Sequence, residues 1–310
     1  MRARNDGAAD RDAVGSNQSG SAEPSPQVSF LDEHEAIDAI YTPPEPDGRF
    51  DAETAALFHR LSVRRRAVIL AFAPKAAGTF FRSAAISAAD GQLVRTVQAQ
   101  GERDAQFYLP TFLAYYLGRV TPYTMVGHVH MQAFTANRHF IEAFDLKPVV
   151  MMRSIPDMLA SYWDMLANEP EARLEGLNCR IPRAFTDMPR EKQADFLIDI
   201  LGSWYASYFA TWLAYAEDSP ARVCMLHYDA FVDDPAVALR TALAHSGIER
   251  SAKVCREAIK ENWQGRSAMR FNRGVSGRGH TYFSPPQIER LERMLTYYDL
   301  PPAQRAALVA

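Results

Sequence analysis

Lys75, Gly78 and Thr79 share a short loop, Pro74-Lys75-Ala76-Ala77-Gly78-Thr79, directly after an apolar run from Ala67 to Phe72. The run has no polar alternation, which suits a strand covered on both faces, as in a parallel sheet. Pro74 ends it, and Phe80 to Ala89 reads as a helix. A strand, a small-residue loop and a helix make an anion site. The first N–H groups of a helix lack intrahelical partners, and small side chains let an oxyanion approach the backbone. Ala76, Ala77, Gly78 and Phe80 supply that backbone, Lys75 adds a point charge and Thr79 a hydroxyl. The order differs from the nucleotide-triphosphate P-loop, in which Lys-Ser/Thr follows the last Gly and serves phosphates and magnesium. An ordinary strand-to-helix turn with a solvated Lys is the alternative at this point.

Two further stations carry charge that a phosphate could use. Arg153 follows the apolar run Pro148 to Met152, and Ser161 lies eight residues on. An Arg at the C-terminal end of a strand sits where open α/β sheets bind ligands, and its fork suits phosphate. The alternative is an Arg paired with Asp157 or Asp164 on the following helix. The loop Phe271-Asn272-Arg273-Gly274-Val275-Ser276-Gly277-Arg278-Gly279 combines three glycines with two arginines; the alternative there is a basic surface loop.

Gly127-His128-Val129-His130 offers a base. Strand alternation puts both imidazoles on one face, and His titrates near neutral pH. A His-x-His metal pair is the competing reading, but no carboxylate or Cys stands at ligand spacing, so no metal is expected.

The elements that must position these residues alternate. Strands are predicted at 67–72, 93–99, 124–131, 148–152 and 222–227. Helices are predicted at 80–89, 105–118, 135–144, from the Ser154 cap to about Asn168, at 193–217 and after Asp234 and Ser284. The Ser154-x-x-Asp157 and Ser284-x-x-Gln287 spacings are capping boxes, and Gly247 stops the helix after Asp234. Alternating strands and helices predict an α/β fold, a central parallel sheet flanked by helices in three layers. Residues 1–27 have the composition of a disordered tail, 28–66 read as a helical N-terminal extension with a break at Thr42 to Asp47, and 67–310 as the main domain. Residues 169–189 read as a loop or lid that sets acceptor specificity. The aromatics of 105–116, with Tyr162 and Trp163, suit either core or an acceptor pocket.

The bulk numbers narrow the partners. The chain has 310 residues and a net charge of −3, with a pI near 6.3. No global basic field argues for nucleic acid or an anionic membrane. No window is long and apolar enough to span a bilayer, no signal-peptide h-region is visible, and Cys179, Cys224 and Cys255 are widely spaced. A cytoplasmic protein is expected; oligomeric state is not legible.

The stations together resemble the family of sulfotransferases that use 3′-phosphoadenosine 5′-phosphosulfate. Pro74-Lys75-x-x-Gly78-Thr79 looks like that family's 5′-phosphosulfate loop. Val149 to Tyr162 looks like its 3′-phosphate segment, VVxxRNPxDxxxSY. Tyr228-Asp229, Asp234-Pro235 and Gly247-Ile248 resemble its next conserved runs, and Asn272-Arg273-Gly274 its Arg-Lys-Gly loop. The order and separations agree over about residues 67–298.

The resemblance implies a P-loop-like fold. Lys75, Gly78 and Thr79 would hold the 5′-phosphosulfate; Arg153, Ser161, Arg273 and Gly274 the 3′-phosphate; Tyr228 the adenine. Asn272 replaces a usual Arg and weakens the third station. Phe80 or Phe81 stands where many members have Trp, and Ser154 replaces a usual Asn as a helix cap. The family's base corresponds to His130, followed by Ala133 and Asn137, with His128 assisting. The implied reaction moves a sulfuryl group to a hydroxyl of a small-molecule acceptor, with Lys75 neutralising the leaving oxygen. The alternatives are an inactive sulfotransferase-like nucleotide-binding protein and a P-loop kinase. The kinase is opposed by the missing Gly-Lys-Ser/Thr.

Overall fold

The structure is a computed structural model that describes residues 30–42, 44–97, 105–168, 181–264 and 276–310. The tail 1–27, Cys179 and the predicted site residues Asn272, Arg273 and Gly274 lie outside the described residues. Five parallel strands form one sheet in the order β2-β3-β1-β4-β5. They are β1 (Ala67–Leu70), β2 (Gly91–Leu93), β3 (Thr124–His128), β4 (Pro148–Met152) and β5 (Cys224–His227). β4 is buried at every position and β1 at all but its first. That is the pattern a sheet covered on both faces demands.

The order creates a switch point. After β1 the chain leaves through α3 (Gly78–Ala89) toward β2. After β4 it leaves through α6 (Ile155–Ala167) toward β5, on the other side of β1. The two departing loops therefore diverge from neighbouring strands and leave a crevice between them, the place where open α/β sheets bind ligands.

Several element ends differ from the sequence reading. The second strand is Gly91–Leu93 rather than 93–99. Beyond it, Val94 N–H still donates to Val126 O at 3.1 Å, and Val97 forms an isolated antiparallel bridge with Phe107. The helix at 105–118 is confined to Leu109–Tyr116, because Phe107 is engaged in that bridge and Pro110 sits in the first turn. The third strand ends at His128 rather than Met131, since its neighbour β1 ends at Leu70; only Val129 N–H reaches back, to Leu70 O at 3.0 Å. The long helix runs from Arg190 to Asp218 with a π-helical stretch at Leu197–Gly202. Residues 181–189 include a 3₁₀ turn at Arg183–Asp187, and 169–180 lie outside the described residues.

The predicted caps at Ser154, Asp234 and Ser284 are present, the last as a reciprocal capping box. Gly247 adopts the left-handed φ of +74° that ends a helix. The helices Phe30–Tyr41 and Ala52–Ser62 pack into the main core: Phe58 stacks on Phe144 with centroids 4.4 Å apart. Phe107, Phe112, Tyr115 and Tyr116 are buried with Phe140 and Phe144. These aromatics belong to the core, and only Tyr108 of that stretch is substantially exposed.

Candidate functional site

The segment between β1 and α3 is fixed through its carbonyls. Tyr208 Oη donates to Ala71 O, His130 Nδ1 to Phe72 O at 2.7 Å, and Tyr205 Oη to Pro74 O at 2.9 Å. Ala76 N–H closes a turn on Ala73 O at 3.2 Å, and Arg153 Nη1 donates to Lys75 O at 2.7 Å. Every carbonyl from 71 to 75 thus has a donor. Lys75 and Ala77 adopt left-handed backbone, with φ of 68° and 62°. Alternating right- and left-handed residues turn successive N–H groups toward one concavity, which favours anions. The N-cap of α3, Ala77, offers no side-chain acceptor to the first turn. A helix start without a cap, preceded by two αL residues of which one is a Lys, fits a phosphate-like group.

Gly78 is required here for space. A Cβ on it would lie 2.2 Å from His128 Nε2. The His128 ring is thus wedged under the start of α3, with Nε2 buried and without a hydrogen-bond partner. Burial first, then the neighbouring His130 and the Arg82 guanidinium, hold the His128 imidazole well below the ordinary His range. It is a neutral ring whose Nε2 is sealed against Gly78.

His130 differs. Its ring lies edge-on to His128 with centroids 5.0 Å apart, and although both residues are part-buried, His130 makes a hydrogen bond through its ring. A carbonyl can only accept, so the contact with Phe72 O puts a proton on Nδ1, and in the neutral ring the lone pair is then on Nε2. The chain after His130 is pinned to the long helix. Trp212 Nε1 donates to Met131 O at 2.9 Å, and Ala133 N–H to Thr211 Oγ1 at 3.2 Å. Asn137 Nδ2 donates to Gln132 O at 2.9 Å.

Arg153 leaves β4 and enters the same crevice. It is 9% exposed, lies over the Tyr228 ring at 4.0 Å and has Nη2 3.9 Å from Asp157. Its Nε is buried without a partner. By sequence, Arg153 suits either a ligand or a pair with Asp157 or Asp164. The structure contains the Asp157 pair, while Asp164 pairs with Arg278 at 2.6 Å. Ser161 is buried two turns along α6. Tyr228 opens the helix after β5, its ring covered by Arg153.

The crevice therefore brings together Lys75, Ala76, Ala77, Gly78, His128, His130, Arg153 and Tyr228. Thr79 is exposed on the first turn of α3. Phe80 is not an open aromatic face: it is 1% exposed and packs edge-on against Trp263 and beside Phe231. Its backbone alone remains at the helix start. Trp163 is likewise buried and donates to Gln193 Oε1 at 2.7 Å. Among the described residues no three His, Cys, Asp or Glu side chains converge on a metal site.

Sequence reasoning missed Tyr205 and Tyr208. Their signal is a spacing of three on a helix with Trp212 four further on, three aromatics with polar tips on one face.

The neutral state of His128 has a consequence for stability. Its pKa is depressed in the folded protein, so the unfolded chain takes up the proton first. The associated stability is complete above the ordinary His pKa of about 6.5 and declines as pH falls below it. His128→Gln should flatten part of the fall in Tm between pH 7 and pH 5. An unchanged slope in the variant would assign the acid sensitivity elsewhere.

No protein-family model matches the chain, and no curated protein matches its sequence. Solved structures do match its fold. Mouse sulfotransferase SULT7A1, complexed with PAP, aligns with a TM-score of 0.57 at 15% identity, over 83% of this chain and 93% of that one. Retinol dehydratase, in a complex with retinol and PAP, aligns with a TM-score of 0.50 at 13% identity, over 89% and 97%. The parallel sheet with its flanking helices is thus the α/β fold of the sulfotransferases.

Proposed function

We propose that the chain is a sulfotransferase that moves the sulfuryl group of 3′-phosphoadenosine 5′-phosphosulfate to a hydroxyl of a small-molecule acceptor. The observation that carries this reading is the junction of the two loops at the switch point: Arg153, leaving β4, bonds the backbone of Lys75, leaving β1. One buried guanidinium and one anion-fitting helix start sit in one crevice, which suits a nucleotide phosphorylated at two positions. Both aligned structures are complexes with PAP, which supports a nucleotide of this kind as the ligand. Lys75, Ala76, Ala77, Gly78 and Thr79 would hold the 5′ group. Arg153 and Ser161 would hold the 3′-phosphate with Arg273 and Gly274, Asn272 contributing little. Tyr228 would lie toward the adenine.

The chemistry follows from the His130 tautomer. Nε2 takes the proton of the acceptor hydroxyl as the acceptor oxygen bonds to sulfur. The bond from sulfur to the bridging oxygen breaks, and its electron pair stays on the 5′-phosphate. Lys75 offsets that charge. The products are a sulfate ester and 3′-phosphoadenosine 5′-phosphate; the proton stays on His130 until solvent removes it. No metal is required. His128, with Nε2 sealed against Gly78, supports the site by packing.

An acceptor screen that follows release of the bisphosphate tests the activity. His130→Ala should lower kcat by about 10²–10⁴-fold, the usual worth of general acid–base catalysis, while nucleotide affinity falls by about tenfold at most, the net worth of the lost bond to Phe72 O. A larger kcat loss in His128→Gln than in His130→Ala would move the base to His128.

Donor choice tests the second station. Hydrogen bonds to a charged group contribute about 1.5–3 kcal/mol each. Losing two contacts to the 3′-phosphate should cost roughly 10²–10⁴ in affinity. Arg153→Ala should therefore erase most of the preference for 3′-phosphoadenosine 5′-phosphate over adenosine 5′-phosphate. Competition binding reads it. An equal loss for both ligands would make Arg153 purely structural.

A further inference from the structure

The carboxylate of Asp157 is 2% exposed and stands one turn into α6 from Arg153. The Ser154-x-x-Asp157 spacing reads as a capping box, yet only half of it forms. Ser154 Oγ accepts from Asp157 N–H at 3.3 Å, and the carboxylate turns elsewhere. Its Oδ1 accepts from Gly279 N–H at 2.7 Å and its Oδ2 from Gly277 N–H at 2.9 Å. The same Oδ2 lies 3.9 Å from Arg153 Nη2. The approach is close enough to exclude any side chain at 279: a Cβ there would lie 2.2 Å from Pro156 Cβ and 2.9 Å from Asp157 N. One helical turn pair further, Asp164 takes Arg278 Nη2 and Tyr282 Oη, both at 2.6 Å. The segment 276–282 is thereby docked along the acidic positions of α6.

We propose that Asp157 is a positioning residue for Arg153, and that through it the chain selects nucleotides carrying a 3′-phosphate. This rests on the sulfotransferase reading above. A buried guanidinium needs a counter-charge, and Asp157 is the carboxylate that supplies it. Two backbone N–H groups from 277 and 279 hold that carboxylate from the other side, so it cannot follow Arg153 if the guanidinium moves. The result is a fixed direction: one face on Tyr228, Nη1 on Lys75 O and Nη2 toward Asp157. An arginine held so meets an incoming phosphate without first being ordered, which is where preorganisation adds affinity.

Asp157→Asn tests this at constant volume. An amide presents one acceptor oxygen to two N–H donors and carries no charge, so Arg153 loses its fixed partner. Gly279→Ala perturbs the same contact from the opposite side: its Cβ presses on Pro156 and the Asp157 backbone while both side chains, Asp157 and Arg153, stay chemically unchanged. Both variants are to be titrated with 3′-phosphoadenosine 5′-phosphate and, separately, with adenosine 5′-phosphate, and their Tm measured without ligand. The expected result is a loss on the order of 10–100-fold for the 3′-phosphorylated nucleotide, with little change for the other, in both variants. Equal losses for the two nucleotides, or a lowered Tm with both affinities intact, would reduce Asp157 to an anchor for segment 276–282 and overturn the proposal. Tighter binding in Asp157→Asn would overturn it too, by showing that repulsion of the phosphate outweighs positioning. A wild-type protein without any 3′-phosphate preference would instead count against the sulfotransferase reading itself.

Discussion

The site depends on five consecutive carbonyls, 71 to 75, each held by a donor, four of them from outside the loop and one, Ala76 N–H, from within it. The two left-handed residues in and after this run, Lys75 and Ala77, each cost on the order of 1–3 kcal/mol. A typical hydrogen bond returns only about 0.5–1.5 kcal/mol net, so no single contact can hold that backbone. The set of five can. It ties the loop to the long helix through Tyr205 and Tyr208, to the β3 exit through His130, and to the β4 exit through Arg153. With the carbonyls engaged outward, the N–H groups at the start of α3 are left as the polar surface of the crevice.

Two of those donors are themselves candidates for chemistry. His130 fixes Phe72 O and in doing so acquires the tautomer of a base; Arg153 fixes Lys75 O while lying at the mouth of the second station. Structure and function are thus not separable at these residues. Replacing either changes the loop as well as the chemistry, which is why paired readouts on two nucleotides are needed. His128 has the opposite character. It is a neutral ring with a buried Nε2 that sets how close α3 approaches β3, and Gly78 is the residue that permits the approach.

Much of the fold was legible because local signals agreed with the global one. Unbroken apolar runs marked β1 and β4, and the caps at Ser154, Asp234 and Ser284 marked helix starts. Strand ends were not legible: β3 stops at His128 because its neighbour stops, a fact about pairing rather than about Val129 or Met131. At the site, the spacings around Lys75, His130 and Arg153 named the residues that meet in the crevice. The pattern is silent on the Phe80 ring, since an aromatic in the first turn of a helix reads the same whether it faces a ligand or, as here, Trp263. Asp157 was read as a cap or an ion-pair partner. Its bonds to Gly277 and Gly279 span some 120 residues, a separation that no local pattern encodes.

The central claim is that one crevice, at the β1 and β4 exits, binds a nucleotide bearing phosphate at both the 5′ and 3′ positions. Thermal unfolding of the purified protein with saturating 3′-phosphoadenosine 5′-phosphate, adenosine 5′-phosphate or ATP with magnesium tests it most directly, because a ligand that binds only the folded state raises Tm by mass action. The expected result is a clear rise with the bisphosphate, and a much smaller one with the other two at equal concentration. A rise with ATP and magnesium that equals or exceeds that with the bisphosphate would contradict it.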